Sequence, residues 1–189
     1  MVTCIRARPT RPSGHLQPHP RATASYPPVH AQTACNGAAR VQMTRRIETL
    51  VDFQPGDDAV VAIVALDADQ HFRQINRDDG RSAGDTVLAA VRESLDDWEP
   101  PPVVVRQDGD NFVAAFVDVE LEAIVQHAAT IRRSFADKPL LGVSRPLDVR
   151  IGIALGRRTA PVRLVELAEA ALTLAQTKGS PIEVADTWF

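Results

Sequence analysis

The chain has 189 residues, 44% of them hydrophobic and 24% charged, with two cysteines and a formal net charge of -3. That is enough apolar side chain for one buried core plus a tail. Two cysteines, Cys4 and Cys35, do not make a disulfide framework, which points to a reducing compartment, and no run of about 18 apolar residues predicts a membrane span. The charge is unevenly split. Residues 1–46 carry seven arginines and no acid, leaving 14 basic against 24 acidic residues in 47–189, about -10. A domain of that sign repels a phosphate backbone, so nonspecific nucleic-acid binding is excluded as a function.

Residues 1–46 also hold six prolines and three of the five histidines, with no helical or strand period. They are expected to form a disordered basic tail, with Met43 as an alternative start. His15, His19 and His30 lack metal-ligand spacing. The folded domain is expected to be 47–189, opening on a helical turn around Arg46–Phe53 and the turn Gln54-Pro55-Gly56-Asp57.

Ala59–Leu66 is an unbroken apolar run rich in β-branched residues, which predicts a central strand buried on both faces. It ends at Asp67-Ala68-Asp69. Residues 70–79 predict a short helix carrying Phe72 and Ile75. Gly80 and Gly84 punctuate, and Asp85 is expected to start a helix of about twelve residues with Val87, Leu88, Val91 and Leu95 inside. The Pro100-Pro101-Pro102 run is a stiff connector. Val103–Val117 predicts a hairpin turning on Asp108-Gly109, because Asp-Gly tolerates the positive φ of a tight turn. Leu121, Ile124, Val125, Ala128, Ile131 and Phe135 predict an amphipathic helix over 119–136. A strand over Asp148–Leu155, a helix over Val162–Thr177 opened by Pro161 and closed by Gly179, and a strand at Ile182–Val184 complete the order. The sum is β-α-α-β-β-α-β-α-β: an α+β protein with a mixed sheet of about five strands flanked by helices.

In that order the end of the first strand and the hairpin tip are neighbours, which brings Asp67 near Asp110. Carboxylates a few ångströms apart repel and invite a hard cation such as Mg²⁺ or Mn²⁺. Such an ion would neutralise nucleotide phosphates and assist phosphoryl transfer. By spacing alone, acids at strand ends and turns are more often solvated loop residues. Arg106, Arg150, Arg157 and Arg158 are candidates for a basic spot, though surface arginines are more often ion-paired. Trp98, Trp188 and Phe189 are expected to pack, and His71 and His127 have no matched ligands.

The residues Leu66-Asp67-Ala68-Asp69, Phe72-Arg73-Gln74-Ile75-Asn76, Gly80, Ala83-Gly84-Asp85, Arg106-Gln107-Asp108-Gly109-Asp110-Asn111-Phe112, Arg150-Ile151-Gly152 and Ala168–Leu172 resemble the GGDEF domains. These are the diguanylate cyclases, which condense two GTP into cyclic di-GMP. The resemblance spans about 58–184. It implies a ferredoxin-like, palm-type fold. It implies Asp67 and Asp110 as metal ligands, Asp110 as catalytic base, Asn76 and Asp85 as guanine-reading residues, and Gly109 as a substrate-binding backbone position. It also implies Mg²⁺ or Mn²⁺, GTP or another guanine nucleotide, a homodimer or protein partner, and a cytoplasmic location without membrane contact.

The sequence departs from the family pattern where phosphate is handled. Asp108 stands for the first Gly of the signature, Asn111 for its Glu and Arg81 for a His. Gln176 stands for a phosphate-binding Lys and Ser180 for an Arg, while Lys178 offers a charge from a different face. The product-binding Arg-x-x-Asp is replaced by Glu99-Pro100-Pro101-Pro102. Two cations are lost and an anion gained, and each charged contact is worth on the order of 1.5–3 kcal/mol. The expectation is therefore a degenerate GGDEF domain, catalytically weak or inactive, acting as a guanine-nucleotide-binding or protein-interaction regulatory module. The alternatives are an active diguanylate cyclase with a divergent signature, and an interaction module that kept only the fold.

Overall fold

The computed structural model describes residues 59–157 and 161–185. The basic tail, Met43, the lead-in through Asp57, Arg158, Trp188 and Phe189 lie outside those residues. The strands are β1 (Val60–Asp67), β2 (Val103–Arg106), β3 (Asn111–Val117), β4 (Arg150–Arg157) and β5 (Ile182–Val184). The helices are α1 (Phe72–Asp78), α2 (Arg81–Asp96), α3 (Leu121–Ala136) and α4 (Pro161–Lys178). The element order is the one the sequence predicts.

The sheet runs β2-β3-β1-β4-β5. Its first four strands are antiparallel and β5 lies parallel to β4. β1 is central because every residue from Val61 to Asp67 is buried, and only an inner strand covered on both faces removes so long an apolar run from water. The strand alternation splits the core in two. Ala62, Val64, Leu66, Phe112, Ala114, Phe116, Ile151 and Ile153 face α2 and α3, with Val87, Val91, Ile124 and Ile131. Val61, Ile63, Ala65, Val113 and Ala115 face α4 through Leu164, Val165, Ala168 and Leu172.

Helix α4 seats against the sheet at Gly152. A Cβ there would lie 2.2 Å from both the Ala168 carbonyl oxygen and the Leu172 nitrogen. Only glycine lets the helix backbone approach that closely. Trp98 packs as expected, edge-on to Phe116 at 5.6 Å between ring centroids, with His127 at 4.8 Å from Trp98. β4 begins at Arg150 rather than Asp148 and runs to Arg157.

One helix start differs from its expectation. Helix α2 begins at Arg81 with Gly80 as its N-cap, so Asp85 sits a turn inside and caps nothing. Gly84 is a buried helical residue and not a break. Its role is tertiary: a Cβ on Gly84 would lie 2.2 Å from the Asn76 Oδ1 atom.

Candidate functional site

The site forms where β1 ends. Asp67 is the last residue of β1 and is paired across the sheet with Asn111 on one side and Arg150 on the other. Residues directly opposite on antiparallel strands project to the same face, and that face is the one α4 covers. The Ala68 N–H donates to the Asp110 carbonyl oxygen at 3.1 Å, carrying the β1–β3 ladder to the hairpin tip. The Asp69 N–H donates to Asp67 Oδ1 at 3.0 Å and reaches Asp110 Oδ2 at 3.4 Å. Fold topology thus brings together Asp67 and Asp110, 43 positions apart in the chain.

Their electrostatics follow from that proximity. The Asp110 carboxyl is pushed up to about 7, first by burial, then by the negative charge of Asp67 and a side-chain hydrogen bond to it. Backbone hydrogen bonds at Asp110 and Asp69 oppose the rise. Two partly buried carboxylates in contact are most easily accommodated with one proton between them.

The hairpin turn is shifted one residue from its expected place. The Asn111 N–H donates to the Asp108 carbonyl at 2.9 Å, which makes Gly109 and Asp110 the central pair, with Gly109 at φ +52°. The Arg106 guanidinium fixes this turn by donating to the Gly109 carbonyl from Nε at 2.7 Å and also from Nη2. Burial lowers the Arg106 pKa, opposed by Asp110, Asp85 and Asp108 in that order. The charges of Asp85 on α2 and of the hairpin tip thus both act on Arg106. Asp108 is exposed and its carboxylate accepts from Asn111 Nδ2 at 3.4 Å.

Asn76 on α1 donates from Nδ2 to the Phe72 carbonyl at 3.3 Å and lies against Gly84, next to the exposed Asp85. Packing of α1 on α2 thereby brings Asn76 to the turn of α2 that carries Gly84 and Asp85. An amide and a carboxylate together suit the edge of guanine, which offers both acceptors and donors.

Helix α4 contributes a neutral group. Gln176 Nε2 donates to Asp67 Oδ2 at 2.5 Å. Ser180 Oγ donates to Glu183 Oε1 at 2.6 Å, and Lys178 Nζ lies 3.4 Å from Glu183 Oε2. The charge of Lys178 is thus spent on β5. Gln107 Nε2 donates to Glu169 Oε1 at 2.6 Å, tying the hairpin to α4.

Sequence reading misses the support beneath these residues. Asp69, 1% exposed, accepts from the His71 N–H at 2.7 Å and the Asp148 N–H at 2.8 Å. It also accepts both arms of Arg145, at 2.6 and 3.1 Å. Nothing in the spacing links positions 69 and 145. The expected basic spot does not assemble. Arg150 and Arg157 are at opposite ends of β4, and Arg106 is on β2, with β3 and β1 between it and β4.

The donor set fits a hard divalent ion. Asp67 and Asp110 supply two carboxylates, and Mg²⁺ is commonly held by one or two carboxylates together with water and substrate phosphates. Among the described residues, no group of three or more His, Cys, Asp or Glu gathers as a metal cage. Asp69 is consumed by Arg145 and cannot serve without breaking that pair.

The family model for the diguanylate cyclase GGDEF domain matches residues 37–181. The chain belongs to the GGDEF family. Solved GGDEF domains share its fold. That of DgcB from Caulobacter crescentus, determined in complex with c-di-GMP, is 19% identical with a TM-score of 0.66, covering 78% of this chain and 91% of that one. That of YfiN (TpbB) from Pseudomonas aeruginosa is 25% identical with a TM-score of 0.62, covering 78% and 96%. The active GGEEF domain of a diguanylate cyclase from Vibrio cholerae is 18% identical with a TM-score of 0.59, covering 79% and 91%. Among curated proteins, none matches. The GGDEF domain here is of the type used in c-di-GMP signalling, and no helix among its described residues is long and apolar enough to cross a membrane.

Proposed function

We propose that this GGDEF domain binds a guanine nucleotide with a divalent ion and works as a regulatory module with little or no cyclase activity. The observation that carries this is the charge of the groups around the carboxylate pair. Asp67 and Asp110 converge on the Asp69 N–H at the end of β1, and the α4 side chain that donates to Asp67 is the neutral amide of Gln176. A site built to activate a hydroxyl on a triphosphate needs an ionised base and nearby cations. Here the α4 group beside Asp67 is neutral, and Asp108 adds an anion at the hairpin tip.

Binding is retained in this reading. Asn76 and Asp85 present the guanine edge, Gly109 offers backbone at the hairpin tip, and Asp67 with Asp110 hold Mg²⁺ or Mn²⁺, which supplies phosphate neutralisation when bound. Exchange of partners, either a second copy or another signalling protein, is the output such a module would control, in the cytoplasm.

The deciding experiment incubates the full chain with GTP and Mg²⁺ or Mn²⁺ and follows c-di-GMP by chromatography. The expected result is no product above background, with a GTP- and metal-dependent thermal shift that Asn76→Ala abolishes. Product formation that vanishes in Asp110→Ala overturns the degenerate reading in favour of an active cyclase. Absence of both product and shift leaves a module that has kept only the fold.

A further inference from the structure

We infer that Arg150 is the phosphate-facing cation of this site, relocated to the sheet from the helix; the inference rests on the nucleotide-binding reading above. The rung at the end of the sheet reads Asn111, Asp67, Arg150 across β3, β1 and β4. All three residues project to the α4 face. Directly opposed residues start with Cβ atoms about 4.5–5.5 Å apart, so the Arg150 stem rises beside the Asp67 carboxylate.

Its guanidinium is pre-ordered and aimed at the end of α4. Arg150 Nη1 donates to the Ser180 carbonyl at 2.8 Å, and Nη2 pairs with Asp148 Oδ2 at 2.8 Å. The side chain is 13% exposed, its partner Asp148 36%. The Arg150 Nε atom is buried with no hydrogen-bond partner, which leaves a donor of this guanidinium unsatisfied by the protein. The other charges that α4 and its flank bring near the site are spoken for. Gln176 is neutral, and Lys178 is drawn to Glu183. On the far side, Arg106 is committed to the Gly109 carbonyl and faced by three carboxylates.

An anionic ligand whose metal is held by Asp67 and Asp110 extends its phosphates along this rung. Within that rung the cation on the same face is Arg150. Guanidinium suits phosphate because its planar fork offers parallel N–H donors, and an arginine already ordered by Asp148 and Ser180 loses little freedom on binding. Asp148 competes with phosphate for Nη2, which tempers affinity.

The test compares GTP with guanosine, because the nucleoside lacks the phosphates. Thermal-shift or calorimetric titrations with Mg²⁺ are run on the full chain, wild type, Arg150→Gln, Arg150→Lys and Asp148→Asn. The expected result is that Arg150→Gln lowers the GTP-over-guanosine preference on the order of 10- to 100-fold, with guanosine affinity unchanged. Arg150→Lys recovers part of the preference, and Asp148→Asn, which removes the competing anion, increases it severalfold. Should Arg150→Gln fail to fold, the Asp148→Asn and Arg150→Lys ratios decide. A preference unaltered by these changes, or equal loss of both ligands in a folded Arg150→Gln protein, overturns the assignment while leaving the nucleotide site standing. A wild type that binds neither ligand removes the nucleotide reading and this inference with it.

Discussion

Asp110 and Asp67 meet at the point where the hairpin tip joins the end of the central strand, and burial there, followed by the charge of Asp67, pushes the Asp110 carboxyl up to about 7. A cation that binds the pair must displace that proton. Affinity for Mn²⁺ is expected to rise about tenfold per pH unit below about 7 and to level off above it. Titrations between pH 5.5 and 8.5 check this; a flat profile refutes a shared proton.

The same contact affects stability without metal. The folded pKa of Asp110 lies above its unfolded value of 3.8, so between those values the folded state holds more protons. Stability from this group is therefore full below the unfolded value and falls as pH rises towards about 7. Asp110→Asn removes the decline. At pH 8 it is expected to unfold about 3–8 °C higher than the wild type, corresponding to about 1–2 kcal/mol once screening of the partly exposed carboxyl is allowed for. Melting curves of both proteins at pH 5 and 8 give the comparison.

Gln176→Lys places a cation on Asp67, where an amide now donates at 2.5 Å. Positive charge there favours the ionised pair, so the pH at which metal binding levels off is expected to drop, and GTP to bind about tenfold tighter. Calorimetry with GTP and metal reads both effects. An unaltered pH profile would show that the amide is not what leaves the pair short of charge.

Arg145→Ala strips a carboxylate with no exposed side-chain surface of its bidentate partner. The His71 and Asp148 amides still donate to Asp69, so the loss is expected to be about 3 kcal/mol rather than complete unfolding. Denaturant titration measures it. A loss under about 0.5 kcal/mol, the range of an ordinary surface change, would show the pair to be incidental.

Gly84→Ala drives a methyl into Asn76 Oδ1, 2.2 Å from the ideal Cβ position. Overpacking is expected to cost about 1–3 kcal/mol. Because Asn76 must turn aside, guanine-nucleotide affinity is expected to fall more than tenfold while Mn²⁺ affinity holds. Nucleotide and metal titrations of the same preparation separate the two; equal losses would indicate general unfolding.

Much of the fold is legible because its signals are local. The unbroken Ala59–Leu66 run, the Asp-Gly hairpin and the periodic apolar faces of α2, α3 and α4 each report on residues adjacent in sequence. Gly84 misleads for the opposite reason. It reads as a helix break, and only its contact with Asn76 explains a glycine inside α2. The hairpin turn slips by one residue because Arg106 and the Ala68 and Asp69 amides hold Gly109 and Asp110, and none of these belongs to the turn itself.

By itself, the sequence determined the element order, the central place of β1 and the acids at its end and at the hairpin, because burial and turn chemistry are written into neighbouring residues. The surroundings of those acids are set only when the chain folds. Whether Asp110 keeps its proton depends on its burial and on Asp67 across the strands, and whether Asp69 stays available depends on Arg145 from a distant loop. Which cation stands beside the pair depends on the register that seats Arg150 opposite Asp67. Charge interactions act through space, and the chain brings these groups together only when it folds.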